Sequence, residues 1–432
     1  MNSEYSVRAV AHWVAVVLLA ATGGSAVAAD ESARQPTVAE LAAQLSAGNA
    51  IGRAAAAEAL AGRGESARPA IPALIQALSE GEGEVRAAAA QALGQLALEP
   101  DAAIPALAAR LTDETPTQHG PVWALAGLAL GSYGRAALPR VRPALQRPAT
   151  AEGRAAMLAI YRAGKEAQDT VPELIAILRK NDPETRRYAI NAVLGIGPEA
   201  KDAVPEVTKM LSSDDFHTQY WACRALGAIG PDAHSAAGEL VRCLQTGAAS
   251  VRRNAAAALG QIGPAIGQEA AAALIAALSD PIQPVRQNAV VALGQLKPLA
   301  AHAAPVIERM LQEPSKFVPR APAAKTLWQL DPQSRTPVEA LLSDLTEDDE
   351  PWVAAQVFGE IQVPAGTVPR LAALLDSPNF WTRQYAAEAL LVLDAETERA
   401  QTVLKELARS DNEETREAAA AALDKAAHSP QP

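Results

Sequence analysis

Aromatic residues are scarce in this chain: Phe, Trp and Tyr make up 4% of its 432 residues, although hydrophobic residues make up 49%. Aromatic side chains normally supply much of the buried area of a globular core. An interior this apolar and this poor in rings must therefore be packed mainly from Ala and Leu, which favours all-α structure. Cysteine occurs twice, too rarely for a disulfide framework. The glycine count, 27, excludes collagen, and the apolar fraction excludes extended disorder.

Catalytic motifs are missing as well. None of His12, His119, His217, His234, His302 and His428 stands at metal-ligand spacing from another, and there is no HExxH and no Cys-x-x-Cys-His. Gly164-Lys165 lacks both the preceding glycine and the following Ser or Thr of a phosphate loop. No Gly-x-Ser-x-Gly or Ser-x-x-Lys nucleophile motif is present. The expectation is a protein that is not an enzyme and needs no cofactor and no metal.

Long hydrophobic runs are confined to the N-terminus. A short segment ending at Arg8 precedes the apolar run from Ala9 to Ala21, and Ala26-Val27-Ala28 places small residues before a cleavage point. Residues 1–28 read as a signal peptide cut after Ala28 or Ala29, with an uncleaved signal anchor as the alternative. The mature chain then has no transmembrane span and is exported, to the periplasm or outside the cell.

What is present is a repeat. Marks at Ala39, Pro72, Pro105, Pro139, Pro172, Pro205, Gly238, Ala272, Pro305, Thr336, Pro369 and Thr402 lie 31 to 34 residues apart. The residue two places after each mark is apolar, and the residue six places after it is Leu in every repeat but the last, which has Ala408. A spacing of four puts the two on one helical face. Pro at the mark suits a first helical turn, which does not need its N–H. A polar break comes next, then a second helix such as Val85 to Gly94 or Val285 to Gly294, often closed by Gly-Pro as at Gly197-Pro198, Gly230-Pro231 and Gly263-Pro264. Repeats three, four and ten are degenerate, at Thr115 to Pro121, at Tyr161 and at Pro351.

Asp280-Pro281, Val285-Arg286, Ala289 and Ala292-Leu293-Gly294, with the same grammar around Val85-Arg86 and Val251-Arg252, resemble the HEAT-like repeats named after the phycobilisome lyases. The resemblance covers about residues 37–428. It implies a right-handed α-solenoid of about twelve two-helix HEAT-like repeats, preceded by a short linker at 29–36 and followed by a tail at 429–432. It also admits two enzymatic alternatives. One is phycobilin lyase activity, for which no bilin-specific residue can be named. The other is a deoxyhypusine hydroxylase-like oxidoreductase, which holds iron through His-Glu pairs; this sequence has no His-Glu dipeptide.

Arg stands seven residues before the central Leu of the second helix at Arg53, Arg86, Arg187, Arg252, Arg286, Arg320, Arg383 and Arg416. That is nearly two turns, so Arg and Leu share a face and the guanidinium must be paired. An acid five to seven residues upstream is the expected partner: Glu80, Asp182, Asp280, Glu313, Asp376 or Asp411. The resemblance implies Asp and Arg pairs that bridge successive repeats, a structural ladder rather than a ligand site.

Residues 336–432 hold 18 acidic and 7 basic residues, so the chain's whole net charge of -11 lies there. Residues 135–187 carry a local excess, 11 basic against 6 acidic. No dominant basic footprint exists, so nucleic acid is not an expected partner. The acidic run Asp344 to Glu350 lacks the spacing of a calcium loop. The few aromatics collect near the starts of second helices, at Phe216, Tyr220, Trp221, Phe317, Trp352, Phe380, Trp381 and Tyr385. The resemblance places second helices on the inner surface, where aromatics beside Arg make interface anchors; core filling is the other reading. Cys223 and Cys243 fall at packing positions of successive repeats, as buried thiols or as an inter-repeat disulfide. The resulting expectation is a protein-binding scaffold or adaptor, with envelope carbohydrate binding as a further alternative.

Overall fold

The computed structural model describes residues 35–180, 182–312, 320–347, 351–361, 363–364 and 366–428. The signal peptide, most of the linker and the tail lie outside the described residues. Everything regular among the described residues is helical.

The described residues before Ala233 form one compact unit. Within it the helix pairs are α1 (Val38–Ala47) with α2 (Ala50–Ala61), α3 (Ile71–Glu80) with α4 (Gly83–Leu96), and α5 (Pro100–Ala108) with α6 (Val122–Gly131). Next come α7 (Leu138–Val141) with α8 (Ala151–Ala163), α9 (Val171–Lys180) with α10 (Pro183–Ile196), and α11 (Val204–Met210) with α12 (Phe216–Ile229). The second unit, from Ala233, begins with α13 (Ala237–Thr246) and α14 (Ala249–Ile262), then α15 (Gly267–Ala277) and α16 (Gln283–Leu296), then α17 (Ala304–Gln312) and α18 (Arg320–Leu330). It continues with α19 (Thr336–Glu347) and α20 (Pro351–Phe358), α21 (Thr367–Leu374) and α22 (Phe380–Val392), and α23 (Thr397–Leu407) and α24 (Glu413–His428). The pairing matches the sequence repeat.

Local chemistry sets the boundaries. Thr37 and Glu40 form a reciprocal capping box at the start of α1, and Asn49, Thr150, Asp182 and Asp215 cap α2, α8, α10 and α12 through their side chains. Pro72 and Pro205 stand in the first turns of α3 and α11, where a missing N–H costs nothing. Pro105 instead lies inside α5, one reason this pair is irregular. Several links from a second helix to the next first helix are 3-10 turns, as in residues Gly64–Ala70, Gly164–Thr170 and Gly197–Ala203. Gly197 enters it at φ 75, a left-handed conformation that glycine adopts without strain.

Each pair buries a stripe of Leu, Ile and Val, as with Ile71, Leu74 and Leu78 of α3, but the pair alone leaves that stripe half uncovered. The cover comes from the neighbouring pair: within each unit second helix packs on second helix, α2 on α4, α4 on α6, α6 on α8, and in the other unit α14 on α16. Glycine and alanine let the backbones close. A Cβ on Gly94 would stand 2.6 Å from the Cα of Ala129, and one on Gly195 would stand 2.2 Å from the carbonyl oxygen of Tyr161.

The arginines tie the pairs together, but not to the expected acids. Arg86 donates from Nε to Asp113 at 2.7 Å and from Nη2 at 3.2 Å, and Arg252 does the same to Asp280 at 2.7 and 3.0 Å. Arg187 reaches Asp215 at 3.2 Å, Arg320 reaches Asp344 at 2.7 Å and Arg53 reaches Glu82 at 3.4 Å. In every case the acid belongs to the following repeat. The upstream acids have other work: Glu80 accepts from Gln76, Asp182 caps α10, and Asp376 pairs with Arg399. Glu313 lies outside the described residues.

The reason is the backbone carbonyls at and just past the first helix's C-terminal cap. An arginine on the first turn of the second helix lies beside them, so Arg86 donates Nη1 to the carbonyl of Gly81, Arg252 to Gly247, Arg286 to Asp280, Arg383 to Ser377 and Arg416 to Ser410. The other edge of the guanidinium is thereby turned toward the next repeat. In α10 two residues share the task, Arg186 bonding the Leu178 carbonyl and Arg187 the carboxylate.

The Arg252 hydrogen bond holds the Asp280 carboxyl below its ordinary value. A depressed carboxylate stabilises the fold above its unfolded value and loses that contribution as pH falls through the folded one. Arg252→Ala should therefore cost about 1.5 to 3 kcal/mol in urea unfolding at pH 7. The gap between variant and parent should narrow as the pH falls below about 4. Gly195→Ala should lower stability by about 1 to 3 kcal/mol through overpacking, although alanine is the better helix former; thermal unfolding reads the sign.

Candidate functional site

Helix α12 of the first unit carries four neighbouring rings, on Phe216, His217, Tyr220 and Trp221. Phe216 is 47% exposed at its first position, with the His217 ring against it at a centroid distance of 3.9 Å. One turn on, Tyr220 and Trp221 meet edge to face at 5.0 Å. Arg224, four and three residues after them, lies over both, 4.7 Å from the Trp221 ring centroid and 5.7 Å from that of Tyr220. No carboxylate pairs with Arg224 among the described residues. Its guanidinium lies over aromatic carbon, an arrangement that suits donation to a carbonyl or carboxylate of another chain.

Trp221 itself is only 6% exposed. It is the shelf under Arg224 rather than a contact surface, so its expected role as an anchor is corrected: a large ring on an Ala-rich helix turns inward to fill space its neighbours leave. Phe216, Tyr220 and Arg224 remain accessible.

The second unit has its own cluster on α22. Phe380, Trp381 and Tyr385 are half-buried; the Phe380 and Trp381 rings lie 4.5 Å apart, and Trp381 stacks on Tyr385 at 5.9 Å with planes 12° apart. Burial, with the nearby charges of Glu388 and Glu414, pushes the Tyr385 hydroxyl above its usual value. Burial also raises Glu388, which accepts from the Gln384 amide at 3.0 Å. Trp352, near the start of α20, is 43% exposed. Phe317 lies outside the described residues.

Sequence reasoning missed several participants. Arg154 is a further rung, pairing forward to Glu184 at 3.1 Å, and its guanidinium lies 5.8 Å from the Tyr188 ring. Tyr188 meets Trp123 edge to face at 6.3 Å, both about 8% exposed. Arg154 stands seven residues before Tyr161, so the ladder spacing could have found it had Tyr been admitted for Leu. Arg224 could have been found from its spacing to Tyr220.

Cys223 and Cys243 are both buried. Asp344, the first residue of the acidic run, is 3% exposed and committed to Arg320. Among the described residues no three His, Cys, Asp or Glu side chains gather as a metal would require, and no helix is long and apolar enough to cross a membrane.

Helix pairs stacked through their second helices define an α-solenoid repeat protein. The family description of HEAT repeats matches residues 38–126, 171–260, 237–328 and 336–424, and the chain belongs to that family. A comparison with the curated proteins returns no match. Among solved structures it is similar to Kap121p bound to Nup53p, at TM-score 0.54 and 14% identity over 90% of this chain and 53% of that one. It is also similar to importin beta in an ammonium sulfate condition, at TM-score 0.54 and 13% identity over 90% of this chain and 62% of the other. The chain thus spans 53 to 62% of those proteins' length, and at such identities the likeness is one of fold.

The two readings of the α12 rings separate by stability. Trp221→Ala should cost about 3 to 5 kcal/mol, whereas Phe216→Ala should stay within about 0.5 kcal/mol of the parent; urea unfolding of the two variants checks both.

Proposed function

We propose that this chain is a non-enzymatic protein-binding scaffold, exported to the cell envelope or beyond. The observation that carries the reading is the α12 cluster, in which Phe216 and Tyr220 are accessible and Arg224 lies over Trp221 with no carboxylate paired to it among the described residues. Aromatic rings beside an arginine are the side chains from which binding hot spots are most often built. The HEAT-repeat fold supports it by offering rows of neighbouring helices, and Kap121p, similar in fold, has been solved bound to Nup53p. Export rests on the N-terminal sequence, with its apolar run and Ala26-Val27-Ala28.

The test is native purification from the envelope fraction, with metal analysis, intact mass and identification of the proteins that co-elute. A protein beginning after Ala28 or Ala29 with a stoichiometric protein partner is expected. Arg224→Ala and Phe216→Ser should each weaken that complex by about tenfold or more, the effect of a hot spot, without lowering the melting temperature. Iron or a chromophore with no protein partner would overturn the scaffold reading, and an uncleaved cytoplasmic chain would overturn export.

A further inference from the structure

In the second unit one rung of the ladder is built differently. Arg383, on α22, donates Nη1 to the Ser377 carbonyl at 3.1 Å, as Arg252 does to Gly247. At Arg252 and Arg86 the Nε and Nη2 edge then takes a carboxylate from the next repeat. At Arg383 that edge meets no carboxylate among the described residues.

The Arg187 rung, whose acid is a helix cap, shows what the next turn of the Arg383 rung has lost. Asp182 and Asp215 cap their helices by accepting from the N–H of a Thr three residues on, and Asp215 is also the partner of Arg187. At the start of α24 the same cap is made by Asn412, which accepts from the Thr415 N–H at 3.0 Å. The cap is kept and the charge is gone. Asp411, one residue earlier, is exposed and makes no ion pair among the described residues.

A cleft of about 320 Å³ opens at this place, bordered by Arg383, Phe380, Glu406, Leu407, Asn412 and Thr415. Its size is at the lower end of clefts that take small ligand groups. Its walls join a bidentate donor to two apolar side chains, and the Glu406 carboxylate and Asn412 amide offer partners for a peptide backbone.

We propose that this cleft binds an Asp or Glu side chain of a partner protein, flanked by apolar residues, whose carboxylate completes the Arg383 rung from outside. Planar guanidinium-carboxylate pairing supplies the selectivity. Net charge does not, since residues 336–432 carry 18 acidic and 7 basic residues and an anion is not drawn there from a distance. Phe380 and Leu407 accept the apolar neighbours of the acid. The site lies on helices other than α12, so it stands or falls independently of the α12 surface.

The experiment uses the full mature chain and two peptides acetylated and amidated at their ends, Leu-Asp-Leu and its neutral isostere Leu-Asn-Leu, in isothermal titration. The acidic peptide should bind at least tenfold more tightly than the isostere. Arg383→Gln should abolish the difference while leaving the fold intact, because Gln219 fills the corresponding place in α12 and donates to the Ser213 carbonyl at 2.8 Å. Asn412→Asp should close the rung from within, weakening the acidic peptide by tenfold or more and raising the melting temperature by about 2 to 4 °C. That gain should vanish in the Arg383→Gln background, which separates it from a helix-capping effect.

Equal affinity for both peptides, or no binding of either at millimolar concentration, would overturn the proposal. So would a thermal gain from Asn412→Asp that persists without Arg383. Loss of acidic-peptide binding in Phe216→Ser would overturn the independence of the two sites.

Discussion

The closeness of successive second helices is the constraint on which the structure depends. No helix pair of this chain can cover its own apolar stripe, and the cover is another pair set against it at backbone contact. That approach requires glycine and alanine along one face, because a single added methyl at Gly94 or Gly195 would meet backbone atoms of the neighbouring helix. The shortage of aromatic residues is a direct consequence: rings along the seam would hold the helices apart. Trp123 and Tyr188 of the first unit are exceptions, meeting edge to face with both rings nearly buried.

Close backbones create a polar problem that the arginines solve. The carbonyls at and just past the end of a first helix have no intrahelical donor. A guanidinium on the first turn of the second helix satisfies such a carbonyl and turns its remaining donors to the next repeat. The rungs are thus by-products of helix ends as much as salt bridges, and their cost in side-chain entropy is shared between two functions. Where the next turn supplies Asp, as at Asp113, Asp215 and Asp280, the repeats are clamped. Where it supplies Asn412, the same geometry becomes a cleft.

Much of this was legible in the residues. Period, helix pairing and the buried Leu positions can be read from spacing, because a solenoid repeats the same environment and so repeats the same side chains. The ladder arginines were legible too, but their partners were not. Glu80 and Asp376 are close to Arg86 and Arg383 in sequence, yet the direction in which a guanidinium points is set by which carbonyl it satisfies first. The 3-10 links escaped because Gly-Pro marks the end of a helix and carries no information about the conformation of the link beyond it. Arg154 escaped because a degenerate repeat hides its register behind Tyr161. The residue type of Trp221 carries no information on its inward orientation, which packing decides.

The sequence alone determined the repeat and the all-α class, since these rest on periodicity that every unit restates and no long-range contact can alter. It also determined where charge accumulates and which catalytic motifs are missing. Tertiary structure decided which acid each arginine holds, which rings are shelves and which are exposed, and where a rung opens into a cleft. Those outcomes depend on distances across the seam between one repeat and the next, and such distances are set by the packing of side chains some thirty residues apart in the chain.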